Sequence, residues 1–140
     1  MTAPVVMLDT NAVSDVIKYP QGPVAARLAA CLPGQAVMSV VVDGELRYGI
    51  ARAAATTIER RLNALLAYVP VLDLTPRVAE RYGEVRTHLA REGTLIGMND
   101  LWIAAHALTL GLILVTDNDS AFSRVPGLRV ENWRRERTPA

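Results

Sequence analysis

Short segments that are apolar at every position alternate along this chain with longer segments whose apolar residues follow helical spacing. A segment such as residues 5–8 has no polar face, so a strand formed from it must be covered on both sides. Strands of this kind belong to parallel sheets that carry helices on their faces. The alternation therefore predicts a single α/β domain with a central, mostly parallel sheet flanked by helices.

The same alternation predicts where each element lies. Strands are predicted at residues 5–8, 36–40, 69–72, 112–115 and 128–130. Helices are predicted at residues 12–17, 24–32, 41–50, 56–67, 76–91 and 101–110. Thr75 is the expected cap of the helix that Pro76 opens, and Gly111 is the expected stop of the last helix. One domain accounts for residues 1–140, with residues 134–140 as a loose tail.

The composition excludes several classes of protein. The 15 basic and 14 acidic residues give a formal net charge of +1, which excludes an obligate polyanion binder of the histone type. Cys31 is the only cysteine, so neither an intramolecular disulfide nor a cysteine zinc site can form. The most apolar stretch, residues 101–115, is shorter than the roughly 20 residues of a membrane span, and the first residues do not have the pattern of a signal peptide. We therefore expect a cytoplasmic protein without a membrane segment.

Carboxylates follow the predicted strands at the edge of the sheet where parallel α/β proteins bind ligands. Asp9 follows the first strand, and Asp117 and Asp119 follow the fourth. Asp100 lies in the first turn of its helix, and Glu45 lies on the helix after the second strand. Because the carboxyl ends of parallel strands share one edge of the sheet, four separate segments deliver acids to the same region.

Such a group of acids favours a divalent cation. Carboxylates within a few ångströms of one another repel unless a cation neutralises them. Oxygen ligands without a cysteine or histidine pair favour Mg²⁺, with Mn²⁺ as a substitute, over zinc. A site of this kind can hold and activate water for attack on a phosphodiester.

Each of these residues also has a purely structural interpretation. Residues 9–11 are all of types that cap helices, and Asp100 is favoured in a first turn by the helix dipole. Residues 117–119 are typical of Asx turns, and Glu45 alone is typical of a solvated helix face. The occurrence of all four acidic segments at strand or helix ends favours the functional interpretation. His106 lies in an apolar helix and is interpreted as a packed core residue.

Five stretches of the chain form a joint pattern, at residues 7–11, 39–49, 96–108, 114–118 and 125–133. The most specific is IGMNDLWIAAHAL, which contains Asp100. Together they resemble the PIN-domain ribonucleases, specifically the VapC toxins of bacterial toxin–antitoxin pairs. This resemblance implies a PIN-like three-layer fold and a Mg²⁺-dependent endoribonuclease that hydrolyses RNA phosphodiesters.

Carried over position by position, the resemblance implies that Asp9, Glu45 and Asp100 hold the metal and carry catalysis. It implies Asp117 as the fourth acid, with Asp119 as the alternative. It further implies supporting positions beside these acids for Thr10, Asn11, Thr116, Asn118 and Asp119.

The resemblance also implies partners. These are an RNA substrate, a second copy of the chain, and a VapB-like antitoxin that blocks the site and through which alone operator DNA is bound. Two other functions remain open at this point. One is a PIN-like subunit that represses its own operon with little cleavage, and the other is a receiver-like phosphoacceptor domain. A receiver normally has a lysine near its last strand, whereas the single lysine here is Lys18.

Overall fold

The computed structural model describes residues 2–134 of the chain. Five short strands form one sheet, and each strand runs parallel to its neighbours. They are β1 (Val6–Leu8), β2 (Ala36–Ser39), β3 (Val71–Leu72), β4 (Ile113–Val115) and β5 (Val130–Glu131). Their order across the sheet is β3-β2-β1-β4-β5. The predicted parallel sheet is confirmed.

Helices connect the strands and cover both faces of the sheet. They are α1 (Thr10–Lys18), α2 (Pro23–Ala29), α3 (Val40–Ala53), α4 (Thr56–Leu66), α5 (Pro76–Arg91), α6 (Met98–Leu110) and α7 (Asp119–Phe122). Connections between parallel strands are right-handed. From β1 to β3 the chain moves towards one side edge of the sheet, and from β3 to β5 it moves back towards the other side edge. Helices α1 to α4 therefore cover one face and α5 to α7 the other. This arrangement is the predicted three-layer α/β fold.

The core lies on both sides of the central strands. Every residue of β1 and β2 is buried, and Met7, Leu8 and Met38 are fully enclosed. The helix layers add buried side chains such as Val13 from α1 and Leu101 from α6. Burial on both sides is the reason that these strand sequences are apolar at nearly every position.

Several element boundaries differ from the predictions. Helix α6 begins at Met98 rather than at 101, and it keeps Asp100 in its first turn as predicted. Helix α2 ends at Ala29 rather than at 32, because Leu32 precedes a proline and that position disfavours helical backbone. The four-residue α7 was not predicted, because so short a helix has no readable periodicity.

The predicted helix ends at Thr75 and Gly111 are confirmed. The Thr75 hydroxyl accepts a hydrogen bond from the Val78 N–H, and Gly111 ends α6 with a φ of 68°, a left-handed conformation that favours glycine. Within residues 2–134, no helix combines the length and apolar character needed to cross a membrane.

The last described residue, Arg134, is held in place by two ion pairs. Its guanidinium contacts the carboxylates of Asp15 and Asp117. Arg134 is the one described residue of the predicted tail, and residues 135–140 of that tail lie outside the described residues.

Candidate active site

A polar cavity of about 500 Å³ opens at the carboxyl edge of the sheet, next to the N-terminal ends of α1 and α6. Three of the predicted acids, Asp9, Glu45 and Asp100, line it. The other lining residues are Thr10, Asn11, Ser14, Asp15, Lys18, Tyr19, Asn118 and Arg134. The predicted convergence of acids from separate segments is therefore observed for three of the four segments.

Asp9 is held at the point where β1 passes into α1. Its N–H donates to the Val115 carbonyl at 2.9 Å, which extends the pairing of β1 with β4 by one residue. Its Oδ2 accepts hydrogen bonds from Thr116 Oγ1 at 2.8 Å and from Asn11 Nδ2 at 3.1 Å. The side chain is only 3% exposed, so these two donors determine its orientation.

Asn11 and Thr116 join the turn after β1 to the turn after β4. Asn11 Nδ2 also donates to Thr116 Oγ1 at 3.2 Å, and Asn11 Oδ1 accepts from the Asp117 N–H at 3.1 Å. Thr116 Oγ1 further accepts from the Asn118 N–H at 3.0 Å. These contacts span more than 100 residues of sequence and keep Asp9 and Asn118 beside each other at the cavity.

Glu45 and Asp100 come from helices on opposite faces of the sheet. Glu45 Oε1 accepts from Thr10 Oγ1 at 2.5 Å, and this contact ties α3 to the start of α1. Ser39 caps α3, and its buried hydroxyl lies 2.8 Å from His106 Nδ1 on α6. This hydrogen bond links the two helices that carry Glu45 and Asp100.

His106 is a core residue, as predicted. It is almost fully buried and does not line the cavity. Burial lowers the pKa of the imidazole, so the neutral form that bonds to Ser39 is favoured.

The three acids are electrostatically coupled. The pKa of Asp9 is raised to about 6, first by burial and then by the negative charges of Asp100 and Glu45. Hydrogen bonds from Thr116 and the Thr10 N–H oppose this rise. The pKa of Asp100 is also raised, first by burial and then by the charge of Glu45. A cation among these carboxylates would stabilise their charged forms and lower the pKa values of Asp9 and Asp100.

The predicted fourth acid occupies a different position. Asp117 does not line the cavity, and its Oδ2 accepts from Arg134 Nη1 at 2.8 Å. Asp119, the alternative, begins α7 and accepts from Asn132 Nδ2 at 3.1 Å. The residue that this turn contributes to the cavity is Asn118. Neither candidate fourth acid therefore lines the cavity with Asp9, Glu45 and Asp100.

Sequence reasoning missed three charged residues of the site, namely Asp15, Lys18 and Arg134. Asp15 lies one helical turn after Asn11 and therefore on the same face of α1, a spacing that could have identified it. No local sequence pattern identifies Arg134, because only the path of β5 brings the end of the described chain back to α1.

The oxygen donors at the cavity suit a hard divalent cation. The donors are the carboxylates of Asp9, Glu45 and Asp100, with no sulfur or imidazole among the lining residues. Among residues 2–134, however, no three carboxylate, histidine or cysteine side chains are already arranged as a complete set of ligands.

Comparison with known proteins decides the family. The PIN domain family model matches residues 6–128. The chain is 39% identical over 130 residues to Ribonuclease VapC2 of Haemophilus influenzae, a match that covers 91% of this chain and 96% of the relative. This chain belongs to the PIN-domain family of VapC ribonucleases.

Other VapC proteins match over the same span. The tRNA(fMet)-specific endonuclease VapC of Salmonella typhimurium is 35% identical over 130 residues, again across 91% of this chain and 96% of that protein. The solved complex VapBC2 of Rickettsia felis, bound to a DNA fragment from its promoter, contains a similar fold with a TM-score of 0.86. That match has 32% sequence identity and covers 92% of this chain and 98% of the solved chain.

The family and the topology both argue against a receiver domain. Receiver domains have a parallel sheet with the strand order 2-1-3-4-5, whereas this VapC-family sheet has the order β3-β2-β1-β4-β5. Its acids also come partly from helix α3, which carries Glu45.

Proposed function

We propose that this VapC-family protein is a Mg²⁺-dependent endoribonuclease that acts as the toxin of a toxin–antitoxin pair. The observation that carries the proposal is the convergence of Asp9, Glu45 and Asp100 on one polar cavity, with raised pKa values at Asp9 and Asp100. Carboxylates with this environment are the usual ligands of Mg²⁺ at phosphoryl-transfer sites.

In this proposal Asp9, Glu45 and Asp100 hold Mg²⁺, for which Mn²⁺ can substitute. When bound, the ion supplies positive charge for the phosphoryl oxygens and lowers the pKa of water. Thr116 and Asn11 fix the carboxylate of Asp9 through the hydrogen bonds that both donate to Oδ2.

Two further polar residues assist the acids. The Thr10 hydroxyl holds Glu45 toward the cavity, and the Asn118 side chain lines the cavity and can hydrogen-bond water or a phosphate oxygen. Asp117 and Asp119 are not part of the proposed metal-binding set, because their carboxylates bond to Arg134 and Asn132.

We propose a transfer RNA as the first substrate to test. A relative that is 35% identical is a tRNA(fMet)-specific endonuclease. The site of action is then the cytoplasm, where transfer RNA is used.

The proposed partners follow from the Rickettsia felis complex, which pairs a similar chain with VapB and promoter DNA. We propose that this chain binds a VapB-like antitoxin, reaches operator DNA only through it, and forms a homodimer. We propose that an amphipathic helix of the antitoxin binds this chain while a basic side chain in the antitoxin's tail approaches the carboxylates of the cavity. That side chain neutralises the carboxylates and so excludes both the metal and RNA.

The test is cleavage by the purified protein, free of antitoxin, of an in vitro transcribed initiator tRNA with Mg²⁺, with Mn²⁺ or with EDTA. Metal-dependent cleavage that Asp9→Asn and Asp100→Asn both abolish supports the proposal. Sequencing the 5′ ends produced when the protein is induced in cells then identifies the natural targets. If the free protein cuts neither this tRNA nor total cellular RNA, yet binds operator DNA with its antitoxin, the chain functions as a repressor subunit instead.

A further inference from the structure

Arg134 is fixed at the rim of the acidic cavity by two carboxylates. Its Nε lies 3.2 Å from Asp15 Oδ2, and its Nη1 lies 2.8 Å from Asp117 Oδ2. Its backbone N–H donates to Asn132 Oδ1 at 3.0 Å. Asp15 belongs to α1 and Asp117 follows β4, so the guanidinium is held from two directions.

One part of this guanidinium is left without a partner among the described residues. A guanidinium has five N–H donors in a rigid fork. Asp15 forms an ion pair at Nε and Asp117 accepts a hydrogen bond from Nη1, while Nη2 donates no hydrogen bond to a described residue. The side chain is 53% exposed and lines the cavity. Arg134 therefore presents donors of fixed direction to a ligand in the cavity.

Asp15 gives a second indication that this arrangement serves a purpose. The carboxylate is only 7% exposed, and its Oδ1 has no hydrogen-bond partner among the described residues. Burial of a charged group without full compensation is costly. Arg134 is the cation that offsets this cost, so Asp15 holds Arg134 more firmly than a solvated carboxylate would.

The cavity is lined by residues of both charge signs. Asp9, Glu45 and Asp100 repel a polyanion, whereas Lys18 and Arg134 are the two cations among the lining residues. An RNA chain that enters this cavity needs positive charge for the phosphates that flank the cleaved bond. Of the two cations, Arg134 has both fixed orientation and the planar donor fork that matches phosphate.

We propose that Arg134 binds an RNA phosphate next to the scissile one, with Asp15 and Asp117 as its positioning residues. The inference rests on the proposed ribonuclease function and gives Asp117 a role other than metal binding. The competing explanation is that the ion pairs only attach the end of β5 to α1. That explanation predicts a loss of stability but no change in phosphate contacts.

The experiment measures RNA binding in the Asp9→Asn background, so that the RNA remains intact. The probe is a fluorescein-labelled, mixed-sequence single-stranded RNA of about 20 nucleotides, long enough to cover a site of this size. Fluorescence anisotropy gives Kd at several salt concentrations. Thermal unfolding of every variant is recorded in parallel.

We expect Arg134→Ala to raise Kd about tenfold at low salt and to reduce the slope of log Kd against log salt by about one phosphate contact. Arg134→Lys restores the salt slope but only part of the affinity, because an ammonium group lacks the fork. Asp117→Asn keeps Arg134 but removes one of its two ion pairs, so it should raise Kd less than Arg134→Ala does. The matched control is Arg129→Ala, whose side chain donates to the Gly111 carbonyl before β4, at the opposite edge of the sheet. Arg129→Ala should leave both Kd and the salt slope unchanged.

The inference is overturned if Arg134→Ala lowers the melting temperature while Kd and the salt slope stay at their parental values. It is also overturned if the substitution weakens only antitoxin binding. If Arg134→Ala fails to fold, Arg134→Lys and Asp117→Asn decide the outcome by the same two measurements.

In the cleavage-competent protein, Arg134→Ala should raise KM about tenfold with little change in kcat, because the contact is made before the chemical step. If Arg134→Ala cleaves RNA with an unchanged KM, the result contradicts the role of Arg134 but not the proposed nuclease function. RNA binding that depends on Arg134, without any cleavage by the parent protein, contradicts the proposed nuclease and leaves the phosphate contact standing.

Discussion

Replacement of Asp9 by asparagine should stabilise the metal-free protein at neutral pH. The carboxylate is buried, its pKa is raised to about 6, and the charges of Asp100 and Glu45 lie near it. Asparagine has nearly the same shape and carries no charge. Its carbonyl oxygen can still accept the hydrogen bonds from Thr116 and Asn11.

The magnitude follows from the shift of the pKa from 3.8 to about 6. At 1.36 kcal/mol per pKa unit, ionised Asp9 lowers the free energy of unfolding by about 3 kcal/mol above pH 6. Hydrogen bonds to a neutral acceptor are weaker than those to a carboxylate, which reduces the net gain to about 2 kcal/mol. For a chain of 140 residues this corresponds to a rise of about 7 °C in melting temperature.

The sign of the pH dependence is also determined. Because the folded pKa of Asp9 is raised, the folded state binds the proton more tightly than the unfolded state does. Asp9 therefore adds stability at low pH that is fully present below its unfolded pKa and is lost as the pH rises through about 6. The difference between variant and parent should be largest at pH 7.5 and should shrink progressively toward pH 4.5.

The assay is thermal unfolding followed by circular dichroism in EDTA at pH 4.5, 6 and 7.5. The control is Asp43→Asn, since the Asp43 carboxylate pairs with Arg47 at 3.3 Å and does not line the cavity. Its melting temperature should fall slightly or stay unchanged. The reasoning is refuted if Asp9→Asn is no more stable than the parent at pH 7.5, or if its advantage does not vary with pH.

Four further outcomes can be measured. Asp100→Asn should reduce tRNA cleavage by at least about 100-fold, while its circular dichroism spectrum stays that of the parent, because it removes one charge from the proposed metal-binding set; full activity would contradict the site. Asp117→Ala should cost more activity in the same assay than Asp119→Ala, since only Asp117 holds the cation at the cavity; equal losses would contradict this order. Ser39→Ala should lower the free energy of unfolding in urea by about 1–3 kcal/mol, because it removes the cap of α3 and leaves the buried His106 ring nitrogen unpaired; an unchanged midpoint would contradict that link. Inhibition by the antitoxin should weaken in excess Mg²⁺ and disappear when the tail of the antitoxin is removed while its helix still binds; equal inhibition by the truncated antitoxin would indicate simple occlusion of RNA.

The local sequence pattern was sufficient to predict the fold class and the convergence of Asp9, Glu45 and Asp100 on one edge of the sheet. Strands that are buried on both faces are apolar at nearly every position. Segments such as residues 5–8 and 112–115 can therefore be predicted as buried strands from the sequence alone. An acid that directly follows such a strand must lie at the carboxyl edge of the sheet, which is why the location of Asp9 could be predicted. Asp100 was placed by the same kind of local argument, from its position in a first helical turn.

Local patterns carried less information about where elements end. Helix α6 begins at Met98, three residues before the predicted start. The prediction missed this turn because the polar residues Asn99 and Asp100 separate Met98 from the continuous apolar pattern that begins at Leu101. Strand β3 is limited to Val71–Leu72, although residues 69–72 read as a strand, because pairing with β2 determines how much of an apolar run becomes sheet.

The tertiary structure was needed to show which of residues 117–119 lines the cavity, and that residue is Asn118 rather than either acid. In a turn, side-chain direction depends on backbone angles and on available partners, and neither follows from residue type. Here Asn11 binds the N–H of Asp117, and Arg134 binds its carboxylate, so Asn118 lines the cavity. Arg134 reaches this position because β5 pairs in parallel with β4 and returns the end of the described chain to the carboxyl edge of the sheet. Strand order is a property of the whole chain, and no local pattern contains it.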